Sequence, residues 1–249
     1  GIHPEDDGKL LTKGKREVSA PLPKTVYLFM SQHIGAPCKP IVKKGDIVKK
    51  GQLVGEAQGF VSANVHASIS GKVVDVVPCP HPITGIKSPA VILERTEDDS
   101  WIEGVNEVND TDLISPEEIK QRIQSSGIVG LGGATFPTHV KLTPPKDKVI
   151  DTVVMNGAEC EPYLTCDYRL MLGKPHEIIQ GLKFIMKCLG CKKAHIGIEA
   201  NKEDVYNLFK DVLSNEPQIK IDLLEVKYPQ GAEHQLIKAL LNREFKPTQ

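Results

Sequence analysis

The sequence predicts a small all-β domain over residues 1–100, followed by an α/β domain with a parallel sheet over residues 115–249. Short β-rich segments occur between about residues 20 and 95, and Gly, Pro and Lys-Gly turns separate them at short intervals. Near residue 115 the hydrophobic period changes from two to 3.6. Strand and helix patterns alternate after that point, which is typical of a parallel sheet covered by helices.

The composition is that of a soluble globular protein with a substantial core. The chain has 249 residues, of which 40% are hydrophobic and 25% are charged. Its formal net charge of -1 argues against nucleic acid and against an anionic membrane surface as partners. No apolar run approaches the roughly 18 residues that a membrane span needs. We therefore expect no membrane span in this chain.

The β-rich segments have the pattern of a biotinyl/lipoyl-type domain without its attachment site. VKKGDIVKKGQLVGEA followed by VHASISGKVVDV resembles the two halves of such a domain, which carries its prosthetic group on a lysine at a hairpin tip. Here the residues between the halves are QGFVSAN, which contain no lysine. We interpret this part as a structural relative, a barrel-sandwich hybrid without an attachment lysine.

The first helix is predicted over residues 115–127, SPEEIKQRIQSSG. Ser115 is suited to the N-cap, Pro116 to the first helical position and Glu118 to a capping box. Gly127 is expected to end the helix.

The later elements follow in order: a strand over residues 149–155, a helix from Pro175 to a stop at Gly190, a strand over 194–200, a helix capped by Asn201, a strand over 219–227 and a helix from near Gly231. Ligands of parallel α/β sheets gather at the carboxyl ends of the strands. Two polar segments, NGAECEP at 156–162 and YPQGAE at 228–233, directly follow predicted strands, so we expect them at the same edge.

A third segment, GLGGATFPTHVKL at 130–142, has three glycines within four positions. Glycine lets the backbone approach a ligand closely, and exposed N–H groups suit phosphate or the polar edge of a ring. A tight turn before a helix would explain this glycine loop, residues 130–133, about as well when it is taken alone. Taken together, the three segments predict one ligand site.

These three segments resemble the flavin- and NADH-binding motifs of the flavoprotein subunit of respiratory complex I. They are more similar to the C subunits of the Rnf ion-translocating electron transport complexes (RnfC). GIHP, SQHIGAPCKPIVKKGD and GFVSANVHASISGKV resemble the N-terminal barrel of those subunits. The resemblance covers essentially the whole chain, and it implies a Rossmann-like parallel sheet domain of the complex I flavoprotein type after the barrel-sandwich hybrid.

The resemblance implies that FMN lies over the glycine loop with NADH stacked against it. It implies cofactor-binding roles for Gly130, Gly132, Gly133, Lys141, Asn156, Glu159 and Gly231. It implies substrate-binding roles for Phe136, as the ring on which the nucleotide stacks, and for Glu161 and Glu233, as acids near the nicotinamide or its ribose. No protein side chain is expected to act as catalytic acid, base or metal ligand, because the flavin carries the chemistry.

Three positions depart from the complex I pattern, each with the loss of a polar contact: Leu131, Ala158 and Ala232. The chain ends at REFKPTQ, before the β-grasp domain and the four-cysteine iron–sulfur motifs of the family. It is therefore expected to be a fragment in which FMN binding is weakened or lost. The 4Fe-4S clusters are expected only in the missing part.

The cysteines are interpreted as free thiols, with a redox or metal-binding use of the CxxC pair as the alternative. Cys188 and Cys191 form the CxxC pair of this chain, which is half of a four-thiolate metal set. Cys160 and Cys166 flank the candidate flavin site and are interpreted as bystanders.

The implied function is NAD-linked electron transfer in a membrane-bound ferredoxin:NAD oxidoreductase coupled to ion translocation. The implied partners are NAD(H), the other Rnf subunits and, through the complex, ferredoxin. The chain would be a peripheral subunit on the cytoplasmic face of the membrane. Two alternatives remain: a soluble flavoprotein reductase of the same architecture, such as a cobalamin reductase or an electron carrier for an amino-acid reductase, and a flavin-free assembly module.

Overall fold

A computed structural model describes residues 1–105, 113–132 and 135–244 of the chain, and it divides into two compact units. The β unit comprises residues 20–146, and the sheet unit comprises residues 1–19 with the chain from residue 147 onward. This division differs from the predicted domain bounds, since residues 1–19 pack with the parallel sheet and residues 115–146 with the β-strands.

The β unit contains two sheets of antiparallel strands. They are β1 (Thr25–Phe29), β2 (Lys39–Pro40), β3 (Ile47–Val48), β4 (Leu53–Glu56), β5 (Val65–His66), β6 (Gly71–Pro80) and β7 (Lys87–Arg95). One sheet has the order β1-β7-β6-β3 and the other has the order β2-β4-β5. The predicted all-β character of this part is confirmed. Its core includes Met30, Val48, Val54, Val73, Val91 and Leu93.

Two helices of the β unit carry the glycine loop between them: α2 (Pro116–Ser125) and α3 (Thr138–Lys141). Ser115 caps α2 as predicted, because its hydroxyl accepts a hydrogen bond from the Glu118 N–H at 3.2 Å. The Glu118 carboxylate accepts a hydrogen bond from Arg122, one turn along the helix. Gly127 follows with φ +67°, in the left-handed region that favours glycine.

The sheet unit alternates helices with parallel strands, as predicted. Its elements are α1 (Leu10–Lys13), β8 (Val153–Gly157), α4 (Cys166–Gly173), α5 (Pro175–Leu189), β9 (Ala194–Glu199), a 3₁₀ turn (Ala200–Lys202), α6 (Glu203–Val212), β10 (Ile219–Leu224) and α7 (Glu233–Leu241). The strand order is β10-β9-β8, and both pairings are parallel. Helix α5 begins at Pro175 and ends at a left-handed Gly190, as predicted. The core of the unit includes Tyr168, Ile179, Leu182, Ile196, Ile198, Val205 and Phe209. Among the described residues, no helix combines the length and apolarity needed to cross a membrane.

Two predicted strands have different bounds because pairing with β9 sets where they start and stop. The strand predicted over residues 149–155 is Val153–Gly157, since its pairing begins where Val153 lies opposite Ala194. Asn156 therefore lies in β8 and does not follow it. The strand predicted over residues 219–227 ends at Leu224, which pairs with the last residue of β9.

Asn201 was predicted to cap α6, and this prediction is wrong. The helix begins at Glu203 after the 3₁₀ turn, with Lys202 in the N-cap position and without a side-chain cap. The Asn201 amide donates to Asp7 at 3.3 Å and its oxygen accepts from the Lys202 Nζ at 3.3 Å. Its polar atoms therefore pair with side chains that lie beside it in the fold.

Candidate functional site

The segments NGAECEP and YPQGAE meet at the carboxyl edge of the parallel sheet. The Asn156 Nδ2 donates to the Gly231 carbonyl at 2.9 Å, and the Asn156 Oδ1 accepts from the Ala158 N–H at 3.1 Å. The Gly231 N–H donates to the Cys160 sulfur at 3.3 Å. One amide side chain thus ties the end of β8 to the loop that precedes α7.

Gly231 leaves no room for a side chain at this junction. A Cβ atom on Gly231 would lie 2.6 Å from the Ala158 carbonyl oxygen and 3.3 Å from both terminal atoms of the Asn156 amide. The close approach of two backbones therefore requires glycine here.

A cavity of 1020 Å³ opens beside this junction, within the sheet unit. It brings together three of the predicted site residues, Asn156, Gly231 and Glu233. Its apolar lining is formed by Val154, Leu236, Ile237 and Leu241 together with Val149 and Ile150. Polar and charged side chains form the rest of the lining: Lys148, Asp151, Thr152, Arg243 and Glu244. The volume suits a ligand the size of a nucleotide.

Glu159 is buried, with 6% of its surface exposed, and its carboxylate caps α4. One oxygen accepts from the Asp167 N–H at 2.8 Å and the other accepts from the Tyr168 N–H at 3.3 Å. The N-terminal end of a helix stabilises a negative charge in this position. The carboxylate predicted to bind the flavin therefore fixes α4 and the preceding loop, and one of its oxygens also accepts a hydrogen bond from the Cys166 thiol at 3.5 Å.

The loop between Glu159 and α4 is held by a lysine that sequence reasoning missed. Lys9 is 5% exposed, and its Nζ donates to the Glu161 carbonyl at 2.8 Å and to the Leu164 carbonyl at 2.6 Å. The two segments are 152 positions apart in the chain, so no local pattern could have indicated this contact. The Glu161 side chain itself is exposed.

A buried ion pair at the end of β9 was also missed. The Lys202 Nζ lies 2.7 Å from the Glu199 carboxylate, and their side chains are 2% and 1% exposed. The two residues are three positions apart at the end of a strand, and this spacing does not indicate from the sequence that their side chains are buried. The pair lies at the same edge of the sheet as Asn156, since β8 and β9 run in parallel.

The reactivity of the Cys166 thiol depends on the negative charges near Glu159. The residue is exposed, yet partial desolvation raises the pKa of its thiol, and the nearby Asp167 and Glu159 carboxylates raise it further. We expect slow alkylation of Cys166 at pH 8, because the thiolate is the reactive form. Asp167→Asn should speed alkylation several-fold by removing a negative charge, as measured by mass spectrometry of the labelled peptide. Unchanged labelling of Cys166 in that variant would contradict this explanation.

The glycine loop belongs to the β unit and closes on itself. The Gly130 N–H donates to the Phe136 carbonyl at 3.0 Å, and the Thr138 N–H donates to the Ile128 carbonyl at 3.0 Å. Leu131 is 97% exposed near the tip. A Cβ atom on Gly132 would meet no atom within 4 Å among the described residues. Gly133, also predicted to bind the cofactor, lies outside the described residues.

The loop also brings a cation and an aromatic ring close together. The Lys141 Nζ lies 6.0 Å from the centroid of the Phe136 ring and 3.3 Å from the Cβ position of Gly130. Helix α3 is fixed by His139, whose Nε2 donates to the Phe60 carbonyl at 2.9 Å. The QGFVSAN segment, which includes Phe60, therefore supports the glycine loop. This segment stands where the attachment lysine of a biotinyl/lipoyl-type domain would lie.

The variants Gly231→Ala and Gly132→Ala compare a glycine in a close backbone contact with a glycine beside open space. We expect Gly231→Ala to lower the free energy of unfolding by about 1–3 kcal/mol, because the added methyl overpacks the junction with Ala158. Gly132→Ala should change it by less than about 0.5 kcal/mol, as exposed substitutions usually do. Urea unfolding of both variants measures the difference, and equal midpoints would contradict the packing at Gly231.

Comparison with known proteins places both parts of the chain. Residues 123–249 match the family described as the Nuo51 FMN-binding domain, and residues 1–98 match the RnfC barrel sandwich hybrid domain. The chain is 48% identical over 244 residues to the C subunit of the proton-translocating ferredoxin:NAD(+) oxidoreductase complex of Clostridium ljungdahlii, covering 98% of this chain and 53% of that protein.

Two further relatives carry similar names. The C subunit of the Na(+)-translocating ferredoxin:NAD(+) oxidoreductase complex of Acetobacterium woodii is 48% identical, with 89% of this chain and 50% of that protein covered. The C subunit of the ion-translocating oxidoreductase complex of Rhodobacter capsulatus is 38% identical, with 98% and 47% covered. The chain thus spans about half the length of these relatives. On the match over residues 123–249, the chain belongs to the family of the Nuo51 FMN-binding domain, preceded by the barrel-sandwich hybrid domain of RnfC.

Proposed function

We propose that this chain forms the FMN- and NAD-binding part of the C subunit of an ion-translocating ferredoxin:NAD oxidoreductase complex. The protein would lie peripherally on the cytoplasmic face of the membrane and contact the other subunits there, and through the complex it would exchange electrons with ferredoxin. The family match and the names of the relatives support the general oxidoreductase role.

The observation that carries the proposal is the cavity along β8, which reaches the carboxyl edge of the sheet at Asn156, Gly231 and Glu233. It combines the Asn156 amide, the backbone at Gly231 and the Glu233 carboxylate with an apolar wall. The Asn156 amide uses one of its two N–H groups on Gly231, so one donor is left for a ligand. These groups fit a flavin, which has a polar ring edge on a flat apolar body.

The remaining predicted residues have roles that their exposure permits. Gly132 and Gly130 would present bare backbone to the face of the ring, and Lys141 would balance the negative charge of the ligand. Phe136 would stack on the nucleotide, and Glu161 and Glu233 would accept hydrogen bonds from the nicotinamide amide or the ribose hydroxyls. Apolar side chains of the cavity would exclude water from the reacting groups.

Asn156, Gly231 and the glycine loop would hold FMN, which when bound would supply reversible hydride exchange with NAD(H) and one-electron exchange with 4Fe-4S centres outside this chain. The protein would hold the cofactor and the nucleotide in contact and set their orientation. The direct test uses the full-length subunit, purified and analysed for flavin. We expect one FMN per chain and loss of the oxidised flavin absorbance when NADH is added without oxygen. A colourless full-length protein that ignores NADH would refute the proposal.

Phe136→Ala should weaken NADH binding more than FMN binding. Loss of a stacking surface is expected to raise the KM for NADH by roughly three- to tenfold, since an aromatic contact contributes about 0.5–1.5 kcal/mol beyond its buried area. Tyr27→Ala is the matched control, because Tyr27 is an exposed aromatic residue of β1. Steady-state reduction of an artificial acceptor gives the KM, and fluorescence gives the flavin content. Equal losses of both ligands would contradict the assigned role.

A flavin-free assembly module is the second candidate, and one observation favours it. The polar atoms of Asn156 and Glu159 make hydrogen bonds to other groups of the protein, so these side chains have structural roles that require no flavin. This function predicts a full-length subunit without flavin that still assembles with its partners. Flavin analysis of the assembled complex therefore distinguishes the two candidates.

A further inference from the structure

We propose that a groove on the sheet unit, separate from the cavity beside Asn156, is the docking site for an acidic segment of a partner protein that inserts apolar side chains. The groove has a volume of 620 Å³ and lies between residues 12–18 and the loop and helix that contain residues 163–174. It is called the α4 groove below. Its docking role does not depend on the proposed redox chemistry.

The α4 groove exposes several large apolar side chains together. Val18 is 91% exposed, Tyr163 66%, Leu170 50% and Leu164 48%. All four line the groove. Contiguous apolar surface of this kind is costly in water and marks interaction sites, whereas single exposed apolar residues are ordinary.

Positive charge surrounds this apolar surface. The groove is lined by four cationic residues and by one acid, Glu17: the cations are Lys15, Arg16, Arg169 and Lys174. The chain as a whole has a net charge of -1, so the excess is local. Charge complementarity therefore favours a partner segment rich in Asp and Glu.

Arg169 indicates more specifically that the partner segment supplies a carboxylate. One of its terminal nitrogens lies 3.4 Å from the Glu17 carboxylate, at the edge of normal hydrogen-bond distance. Its Nε is buried and has no hydrogen-bond partner among the described residues. An incoming Asp or Glu would accept hydrogen bonds from the terminal N–H groups of this guanidinium, where the contact with Glu17 is long. Tyr and Arg are also the residue types enriched in the energetic centres of interfaces.

The concave shape favours a protein segment over a lipid surface. Membrane-surface binding uses a convex or flat amphipathic face that dips into the headgroup region. Arg169 lies in the groove with only 26% of its side chain exposed, so a single chain segment reaches it more readily than a planar bilayer does. A chain segment can follow the groove, place apolar side chains on Leu164 and Leu170, and direct carboxylates to Lys15 and Arg16.

The groove adjoins the candidate site through covalent and hydrogen-bonded connections. Glu159 caps the helix that presents Arg169 and Leu170, and Lys9 holds the Leu164 carbonyl. A partner in the α4 groove would therefore contact the same loop that contains Glu159 and Glu161. If the proposed function holds, this position places the partner beside the loop of the flavin site.

Photo-crosslinking from Leu170 in the full-length subunit, assembled in native membranes, tests the proposal. A photoreactive amino acid at Leu170 should yield one crosslinked peptide, and mass spectrometry should identify it as a partner segment with several acidic and large apolar residues. The same amino acid at Leu223 in β10, which is 48% exposed, is the control and should not capture that segment. Lipid adducts, no adduct, or a segment without acidic residues would overturn the proposal.

Charge-reversal variants provide a second test of the docking proposal. Lys15→Glu with Arg16→Glu should lower the crosslink yield from position 170 at least several-fold, and reversal of the acids in the captured segment should restore it. Lys210→Glu with Lys220→Glu, on exposed positions of α6 and β10, is the matched control. An unchanged yield after reversal at Lys15 and Arg16 would overturn the proposal, whether or not the full-length protein contains flavin.

Discussion

Gly132→Val is expected to lower FMN retention by the full-length subunit strongly while leaving its fold intact. A Cβ at this position meets no described atom within 4 Å, so the free protein has space for the added side chain. A flavin lying on the glycine loop would need that space. Overpacking a close contact costs about 1–3 kcal/mol, so we expect FMN affinity to fall by roughly tenfold or more.

Fluorescence of flavin released from the purified variant measures this loss, and thermal unfolding of the same sample checks the fold. Gly181→Val is the matched control, since Gly181 in α5 also has open space around its Cβ position. Both variants should unfold near the temperature of the parent protein. Full flavin content in Gly132→Val would mean that residues 130–132 form only a turn, which is the other interpretation of the glycine pattern.

Local rules predicted the parts of the fold that depend on neighbouring residues. The Ser115 cap and the helix between Pro175 and Gly190 follow from preferences that act within a turn or two. The parallel sheet was predictable because strand and helix periods differ over short windows. The meeting of Asn156 with Gly231 also followed, because the ends of parallel strands share one edge.

The structural features that the sequence did not predict depend on contacts between residues far apart in the chain. The bounds of β8 depend on where β9 lies beside it, and the side chain of Asn201 pairs with Asp7 across the fold. Lys9 holds the loop after Glu159 from 152 positions away.

Lys202→Met is expected to lower the free energy of unfolding by about 3–5 kcal/mol, because it leaves the buried Glu199 carboxylate without its partner. Denaturant unfolding at neutral pH measures the loss. Lys202→Met combined with Glu199→Leu should recover most of it, since both charges are then absent from the interior. Arg122→Met removes an exposed pair with Glu118 and should cost less than about 1 kcal/mol.

The double variant Lys202→Met with Glu199→Leu also tests where the flavin site lies, because of the position of this pair in the sheet. The pair lies at the end of β9, while the cavity with Asn156 lies beside β8, and the cavity lining does not include either charge among its described residues. We therefore expect the folded fraction of the double variant to retain FMN, although it lacks two charged groups at the ligand edge of the sheet. A double variant that folds normally but has lost its flavin would instead assign Glu199 or Lys202 to the cofactor site. That result would move the site from the β8 side of the sheet toward its centre.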